Sequence, residues 1–584
     1  MIKIRNLAFE YFDRDDEGHL TEMINAIRGI NFHAKKGDFI AVTGKNGSGK
    51  STFARILNRL LVPIEGSVII GGLNAMDEEN IMAIRKNVGM VFQNPDDQLI
   101  GSIVAEDVAF GAENIGVDEN KLWNRVIGSL ETVGFENARE FAEKRINQLS
   151  GGERQKVALA GVLAMQPSCI VLDEATSMLD KKSRSDILKL LRQLNKKVGI
   201  TIIMITHLMD ELVYADQVYV MNQGTIAMKG RCQEIYHREE QLVDLGLEVP
   251  VQAKLARLLF QRRILDRADL FSADVVAENI KKRYPHKFYI DTAMPVERVS
   301  HRKQNPMRAI IVDNIDFSYG NNKVLENVSF SIEKGEYVAL VGRTGAGKST
   351  LLQQLPGLLK PTKGSIFVDG VDIWDKTTDL RGIRCKIGFV FQYPEQQLFA
   401  KNVYEDVVFG PRNVGVSEIE AEKRSYEAIR LVGLPEDVYD LPMDKLSGGQ
   451  RRRVALAGVL AMQPDYLILD EPVAGLDPEG KREILQIIDA LHKEAGITII
   501  VVSHDVESVS QYADRVLIVG DRQVMDGGTP AEAFYTLYKK ENDINMLPYT
   551  MQLLVRLREM GLDVDCFETD INGCVRQIEK TLGR

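Results

Sequence analysis

Cysteine is scarce: 584 residues hold five, Cys169, Cys232, Cys385, Cys566 and Cys574, with no CxxC pair and no flanking histidine cluster at metal-ligand spacing. That excludes a disulfide framework and a zinc module, and a reduced, cytosolic setting is expected. Long apolar runs are missing too. VALAGVLAM (157–165) and ITIIVV (497–502) have core lengths, well short of the roughly 18 residues needed to cross a bilayer, so no membrane span is expected. The N-terminal MIKIRNLAFEYFDRDDEGHL meets acidic residues before any apolar stretch forms, which argues against a signal peptide. A basic excess is also absent. Seventy-three Lys and Arg against 83 Asp and Glu give a net charge of −10, so no global positive field exists to hold nucleic acid. Hydrophobic residues at 45% and charged residues at 27% match globular usage, and the length suits about four folding units of about 150 residues.

What the chain does have is an internal copy of itself. VALAGVLAMQP stands at 157–167 and again, unchanged, at 454–464. GKNGSGKST (44–52) pairs with GRTGAGKST (342–350), VFQNPDDQL (91–99) with VFQYPEQQL (390–398), and LSGG (149–152) with LSGG (446–449). The chain is two homologous halves, each a complete multi-part unit. Within each, short β-branched runs alternate with helical patterns, which predicts a mostly parallel sheet covered on both faces. The stretch between the VFQ motif and LSGG reads as a helical subdomain. The expected division is a first cassette over 1–230, its extension over 231–280, a Pro-punctuated basic linker over 281–306, a second cassette over 307–530 and its extension over 531–584.

Both GxxxxGK[ST] stretches follow an apolar strand and precede a helical pattern, the context a phosphate-binding loop requires. In Gly44, Asn46, Gly47, Ser48, Gly49, Lys50, Ser51 and Thr52, and in Gly342, Thr344, Gly345, Ala346, Gly347, Lys348, Ser349 and Thr350, backbone N–H groups would wrap phosphates. Lys50 and Lys348 would neutralise the β and γ phosphates, and Ser51 and Ser349 would ligate Mg²⁺. CIVLDE (169–174) and YLILDE (466–471) put two acids at the end of a buried strand, a cost that a cation or a proton transfer would use. Asp173 and Asp470 are placed to hold Mg²⁺; Glu174 and Glu471 can polarise the water that attacks the γ-phosphate. His207 and His504 close later strands at the shared 297-residue offset, and Gln93 and Gln392 can reach Mg²⁺ or that water. Ser150, Gly151, Gly152 and Ser447, Gly448, Gly449 open a second anion-binding helix in each half. Since each half already has its own phosphate loop, the economical reading is that each LSGG caps the nucleotide held by the other half.

In this order, twice, the motifs resemble the ATP-binding cassette (ABC) ATPases over most of residues 1–230 and 307–530. The resemblance implies an α/β fold of two P-loop cassettes, each with a helical subdomain and a small C-terminal helical extension. They would pair head to tail around ATP and Mg²⁺, Lys50 with Ser447 and Gly449, Lys348 with Ser150 and Gly152. It further implies that Tyr11 and Tyr319 stack on adenine and that Asp180 and Asp477 are D-loop acids linking the sites. Both halves keep Lys, Gln, Asp, Glu and His, so two hydrolysing sites are expected.

The segments VFQNPDDQL with EDVAFG, and VFQYPEQQLF with EDVVFG, are similar to the ATPases of energy-coupling factor (ECF) transporters, prokaryotic importers of vitamins and of cobalt or nickel ions. That resemblance implies a peripheral protein on the cytoplasmic membrane face. Its partners would be a transmembrane scaffold and a small substrate-binding membrane protein, with Asp96, Asp97, Glu395 and Gln396 lining a groove for a basic helix. Two amphipathic tail patterns, with Leu255, Leu258 and Leu259 or Leu553, Leu554 and Leu557 on the apolar face, would pack against each other. GERQK against GQRRR suggests that the halves meet different parts of an asymmetric partner. A soluble twin-cassette ATPase acting on ribosomes or DNA, and the ATPase of another import system, are the competing readings.

Overall fold

The computed structural model describes residues 1–14, 20–177, 179, 181–289 and 308–583. They form two compact units: Met1–Pro250 with Gly475–Glu479, and Val251–Ala474 with Gly480–Arg584.

In the first unit the β-branched runs Phe39–Thr43, Cys169–Asp173 and Thr201–Ile205 are buried along their whole length, as parallel strands covered on both faces must be. They lie side by side in a six-stranded sheet ordered Thr225–Gly230, Gln217–Asn222, Phe39–Thr43, Thr201–Ile205, Cys169–Asp173, Val88–Val91, in which only the first strand runs antiparallel. A four-stranded antiparallel sheet, ordered Leu20–Ala34, Ile2–Arg14, Glu65–Ile70, Leu73–Asn74, faces it. Ile2, Phe9, Ile27 and Phe32 from this sheet meet Ile40, Val171, Ile203 and Tyr219 from the other, with Phe53, Ile56 and Leu57 of the helix Lys50–Leu57 filling the layer between. The phosphate loop is thereby held between a buried strand and a buried helix. The helices Val104–Asn114, Glu119–Thr132 and Gly151–Ala164 pack on one another as the expected helical subdomain.

The second unit repeats this plan. Its six strands run Ile387–Val390, Tyr466–Asp470, Thr498–Val502, Tyr337–Val341, Arg515–Gly520, Gln523–Asp526, and its four-stranded sheet runs Asn322–Glu333, Arg308–Tyr319, Lys363–Val368, Val371–Asp372.

The second unit also carries the tail of the first half. Helices Val251–Gln261 and Ala273–Arg283 pack with Tyr549–Glu559 and Ile571–Leu582 around one core that includes Leu255, Leu259, Val276, Ile280, Leu553, Leu554, Leu557 and Ile578, with Leu258 partly buried at its edge. Asp274 and Arg556 form an ion pair at 2.6 Å across it, and Lys281 Nζ donates to the Met560 carbonyl. The segment read from sequence as the start of a linker at 281 is, through Phe288, the end of this helix, a 3₁₀ turn over Pro285–Lys287 and a single bridge from Phe288 to Leu562. The amphipathic pattern simply carries on to Arg283. Residues 290–307 lie outside the described part. Among the described residues no helix is long and apolar enough to cross a membrane.

Candidate functional site

Glycine decides the shape of both phosphate loops. A Cβ on Gly44 would stand 2.3 Å from the Met221 carbonyl, and one on Gly342 2.1 Å from the Val519 carbonyl, so only glycine lets the loop leave its strand there. Gly49 and Gly347 cap the following helices at φ of 95° and 96°, and Gly47 and Gly345 face open space. Lys50 Nζ donates to the carbonyls of Gly44 and Lys45 at 2.7 and 2.9 Å, and Lys348 Nζ to those of Gly342 and Arg343 at 2.9 Å each. Each ammonium thus spans the hollow of its own loop. Burial lowers the proton affinity of Lys50, opposed by the charges of Glu174, Asp477 and Asp173. Ser48 Oγ is buried in the same loop with no hydrogen-bond partner, a polar group that a phosphate oxygen would satisfy.

Ser51 Oγ donates to Asp173 Oδ1 at 2.9 Å, and in the second half the Ser349 hydroxyl is near enough to Asp470 to favour its charged form. These are hard oxygen donors of the kind Mg²⁺ takes. Burial pushes both aspartate carboxyls above their usual range, a cost to the charged form that a divalent cation would offset. The residues present therefore fit Mg²⁺.

Glu174 and Glu471 follow those aspartates with φ of 50° and 53°, the left-handed region that a side chain enters only when its surroundings hold it there. In the first half His207 Nδ1 lies 3.0 Å from Glu174 Oε2, Gln93 Nε2 donates to the same oxygen at 3.3 Å, and Lys50 Nζ stands 3.9 Å from Oε1. Burial pushes the Glu174 carboxyl up, but His207 and Lys50 overcome it and hold the group below the usual range. In the second half His504 turns the other ring nitrogen inward, Nε2 at 2.8 Å from Glu471 Oε1. His207 is 2% exposed, whereas the His504 side chain keeps 31% of its surface.

Ser150 and Ser447 are exposed N-caps. Ser150 Oγ accepts from the Glu153 N–H and Ser447 Oγ from the Gln450 N–H, and each N3 side chain returns a bond to the cap N–H. Gly151, Gly152, Gly448 and Gly449 leave the first turns of these helices bare of side chains. Tyr11 reaches the first loop, its hydroxyl 3.2 Å from Thr52 Oγ1, and packs edge-on against Phe9. Tyr319 packs edge-on against Phe317 and is 52% exposed. Within the first unit the Asn46 N–H donates to Asp477 Oδ2 at 2.9 Å. Asp180 lies outside the described residues.

Asp96 and Glu395, expected to line a groove for a basic helix, are already engaged by arginines of their own halves. Arg154 Nη1 meets Asp96 Oδ1 at 2.7 Å, and Arg452 Nη2 meets Glu395 Oε2 at 3.5 Å. Asp97 and Gln396 are exposed, as are Ile100 in the first half and the edge-on pair Phe399 and Phe409 in the second. Arg452 was not singled out from sequence; the signal was its place opposite Gln155 in the first half.

The model of the ABC transporter family matches residues 27–177 and 325–474, over half of the chain. The chain belongs to this family: it is a twin-cassette ATP-hydrolysing subunit of a transporter. A Methanosarcina mazei protein named "Putative ABC transporter ATP-binding protein" is 35% identical over 583 residues, spanning 97% of this chain and 95% of its own length. The Bacillus subtilis "Putative HMP/thiamine import ATP-binding protein YkoD" is 30% identical over 545 residues, 91% of this chain and 92% of its own. A Bifidobacterium longum relative, "Putative ABC transporter ATP-binding protein BL0043", is 36% identical over 518 residues, 84% of this chain, which spans 62% of that relative's length. Among solved structures, cbiO1 from Clostridium perfringens is 34% identical, with a TM-score of 0.37 over 45% of this chain and 98% of that one. The ADP- and phosphate-bound cassette MJ0796 is 29% identical, with a TM-score of 0.36 over 40% and 99%.

Proposed function

We propose that this chain is the ATPase of an ECF-type importer, closing on two ATP molecules and reopening on hydrolysis to move separate membrane proteins that carry a vitamin or a transition-metal ion. The observation that carries the reading is the near full-length likeness to YkoD, named for HMP/thiamine import. The VFQ segments of both halves support it. Each half would supply its phosphate loop to one ATP and its LSGG to the other, giving Lys50 with Ser447 and Gly449, and Lys348 with Ser150 and Gly152.

In each site the lysine leaves its loop carbonyls for the β and γ phosphates, while the loop N–H groups and the helix N-terminus hold the remaining oxygens. Ser51 with Asp173, and Ser349 with Asp470, would hold Mg²⁺, with Gln93 and Gln392 approaching it from their loops. When bound, the ion neutralises charge that develops on the phosphate oxygens. Glu174 and Glu471 orient and deprotonate the attacking water, and His207 and Nε2 of His504 hold those carboxylates in place. Tyr11 and Tyr319 would offer ring faces to adenine, and Asp477 and Asp180 would be the D-loop acids linking the sites. The exposed apolar patch beside Gln93 and Gln392, edged by Asp97 and Gln396, would receive helices of the transmembrane scaffold.

The test is a mild-detergent pull-down of the tagged chain from its native membranes. Recovery of a polytopic scaffold together with a small hydrophobic binding protein supports the importer reading. Recovery of ribosomal or DNA-repair proteins with none of these sinks it and leaves the ATP chemistry standing.

A further inference from the structure

The turn after each catalytic glutamate must hold a left-handed residue in place, and the two halves do this with different parts. In the first half Ser177 Oγ donates to the Glu174 carbonyl at 2.8 Å, and Thr176 Oγ1 donates to Glu211 Oε1 at 2.6 Å. The second half has Val473 and Ala474 at these places and lacks both hydroxyls. There Arg452 Nη1 donates to the Pro472 and Ala474 carbonyls at 3.2 and 2.7 Å, while Nη2 reaches Glu395, three residues after Gln392. Arg452 is 6% exposed, and burial lowers its proton affinity against the opposing charge of Glu395. Its first-half counterpart Gln155 is equally buried, and among the described residues it donates toward the Phe92 carbonyl, at 3.4 Å. Burying a guanidinium is unfavourable until it is paired and hydrogen-bonded, a burden that filling a core would not require.

We propose that Arg452 is a positioning residue for ATP hydrolysis in the second half, tying the loop that carries Gln392 to the turn that carries Glu471. It takes the place of the Ser177 hydroxyl and of the direct Gln93–Glu174 contact found in the first half. A shift of the Glu395 loop is therefore passed to the Glu471 turn through one guanidinium, a connection not made among the described residues of the first half. The proposal rests on the roles given above to Glu471 and Gln392. Glu471→Gln tests those roles separately, so the two failures are distinguishable.

The test uses the full chain. Arg452→Gln installs the residue the same helix already buries as Gln155. We expect KM for ATP to stay within about twofold and kcat to fall, by about half where the sites turn over independently and by about tenfold where each waits for the other. Adding Ala474→Ser, which supplies the first half's hydroxyl, should recover at least half of the lost kcat. Hydrogen exchange should quicken at residues 471–476 and 391–397 but not at 174–179. An unchanged kcat overturns the proposal. So does a fall with no recovery from Ala474→Ser, or faster exchange throughout the second cassette, which would make Arg452 a prop of the fold.

Discussion

The two ATP sites are copies of one pattern, yet the glutamate–histidine pair of the first is more deeply buried and more densely cross-linked than that of the second. Glu174 is gripped by His207 Nδ1, Gln93 and Lys50 at once. Glu471 has a half-exposed His504 through Nε2, and its turn is braced by Arg452. A low-dielectric setting strengthens each charge interaction, so the same residues exert a stronger hold on Glu174. Identical motifs therefore specify the chemistry without specifying how firmly it is held.

The largest expected effect is loss of both glutamates. Glu174→Gln with Glu471→Gln should lower phosphate release about 10²- to 10⁴-fold, with each single variant removing only its own half's share. If Glu174→Gln alone is as damaging as the pair, the sites do not fire independently.

His207→Ala comes next, with an expected loss of about 10- to 100-fold at its site, against a smaller loss for His504→Ala. The pH–rate profile sharpens the point. His207 helps hold the Glu174 carboxyl below its usual range, so its removal should move the acid limb of kcat to higher pH. Equal losses with no shift of the limb would refute the difference in grip.

Gln93→Ala should cost several-fold more than Gln392→Ala in the absence of any membrane partner, because only Gln93 touches its glutamate within hydrogen-bond distance. Steady-state kcat of the isolated chain decides this.

The smallest effect is on stability. Burial raises the Asp173 and Asp470 carboxyls, so folding is weakened as pH rises through their folded values and unburdened below the ordinary carboxylate range. Asp173→Asn and Asp470→Asn should each raise Tm by about 2 °C at neutral pH without Mg²⁺, a gain that disappears in acid. A lower Tm at neutral pH would mean that the favourable influence of the Ser51 and Ser349 hydroxyls outweighs the cost of the buried charge.

Much of this was legible in the sequence, for physical reasons. Phosphate loops, the Asp-Glu strand ends and the LSGG caps are local arrangements in which neighbouring residues dictate the backbone, so Gly44, Lys50, Ser150 and Asp173 announced themselves. The apolar faces of 251–261 and 549–559 were legible as periodicity, because a helix buries one stripe. Contacts formed by folding were not. Nothing in ITIIMITH and ITIIVVSH says that one ring offers Nδ1 and the other Nε2, and Asp96 reads as a free acid until Arg154, far along the chain, is seen beside it. Arg452 fell between these cases. GQRRR against GERQK marked a difference, but its meaning lay in Ala474 and Glu395, which no local pattern connects.

The shared tail core also sets a timetable. Helices 251–261 and 273–283 leave the ribosome long before 549–559 and 571–582, the segments that cover Leu255, Leu259, Val276 and Ile280. At about 5–20 residues per second the wait is about 15 to 60 s, with an apolar face open to every other nascent surface. Fusion thus imposes an order: the apolar face of the first half's extension gains its cover only after residues 549–582 have been made.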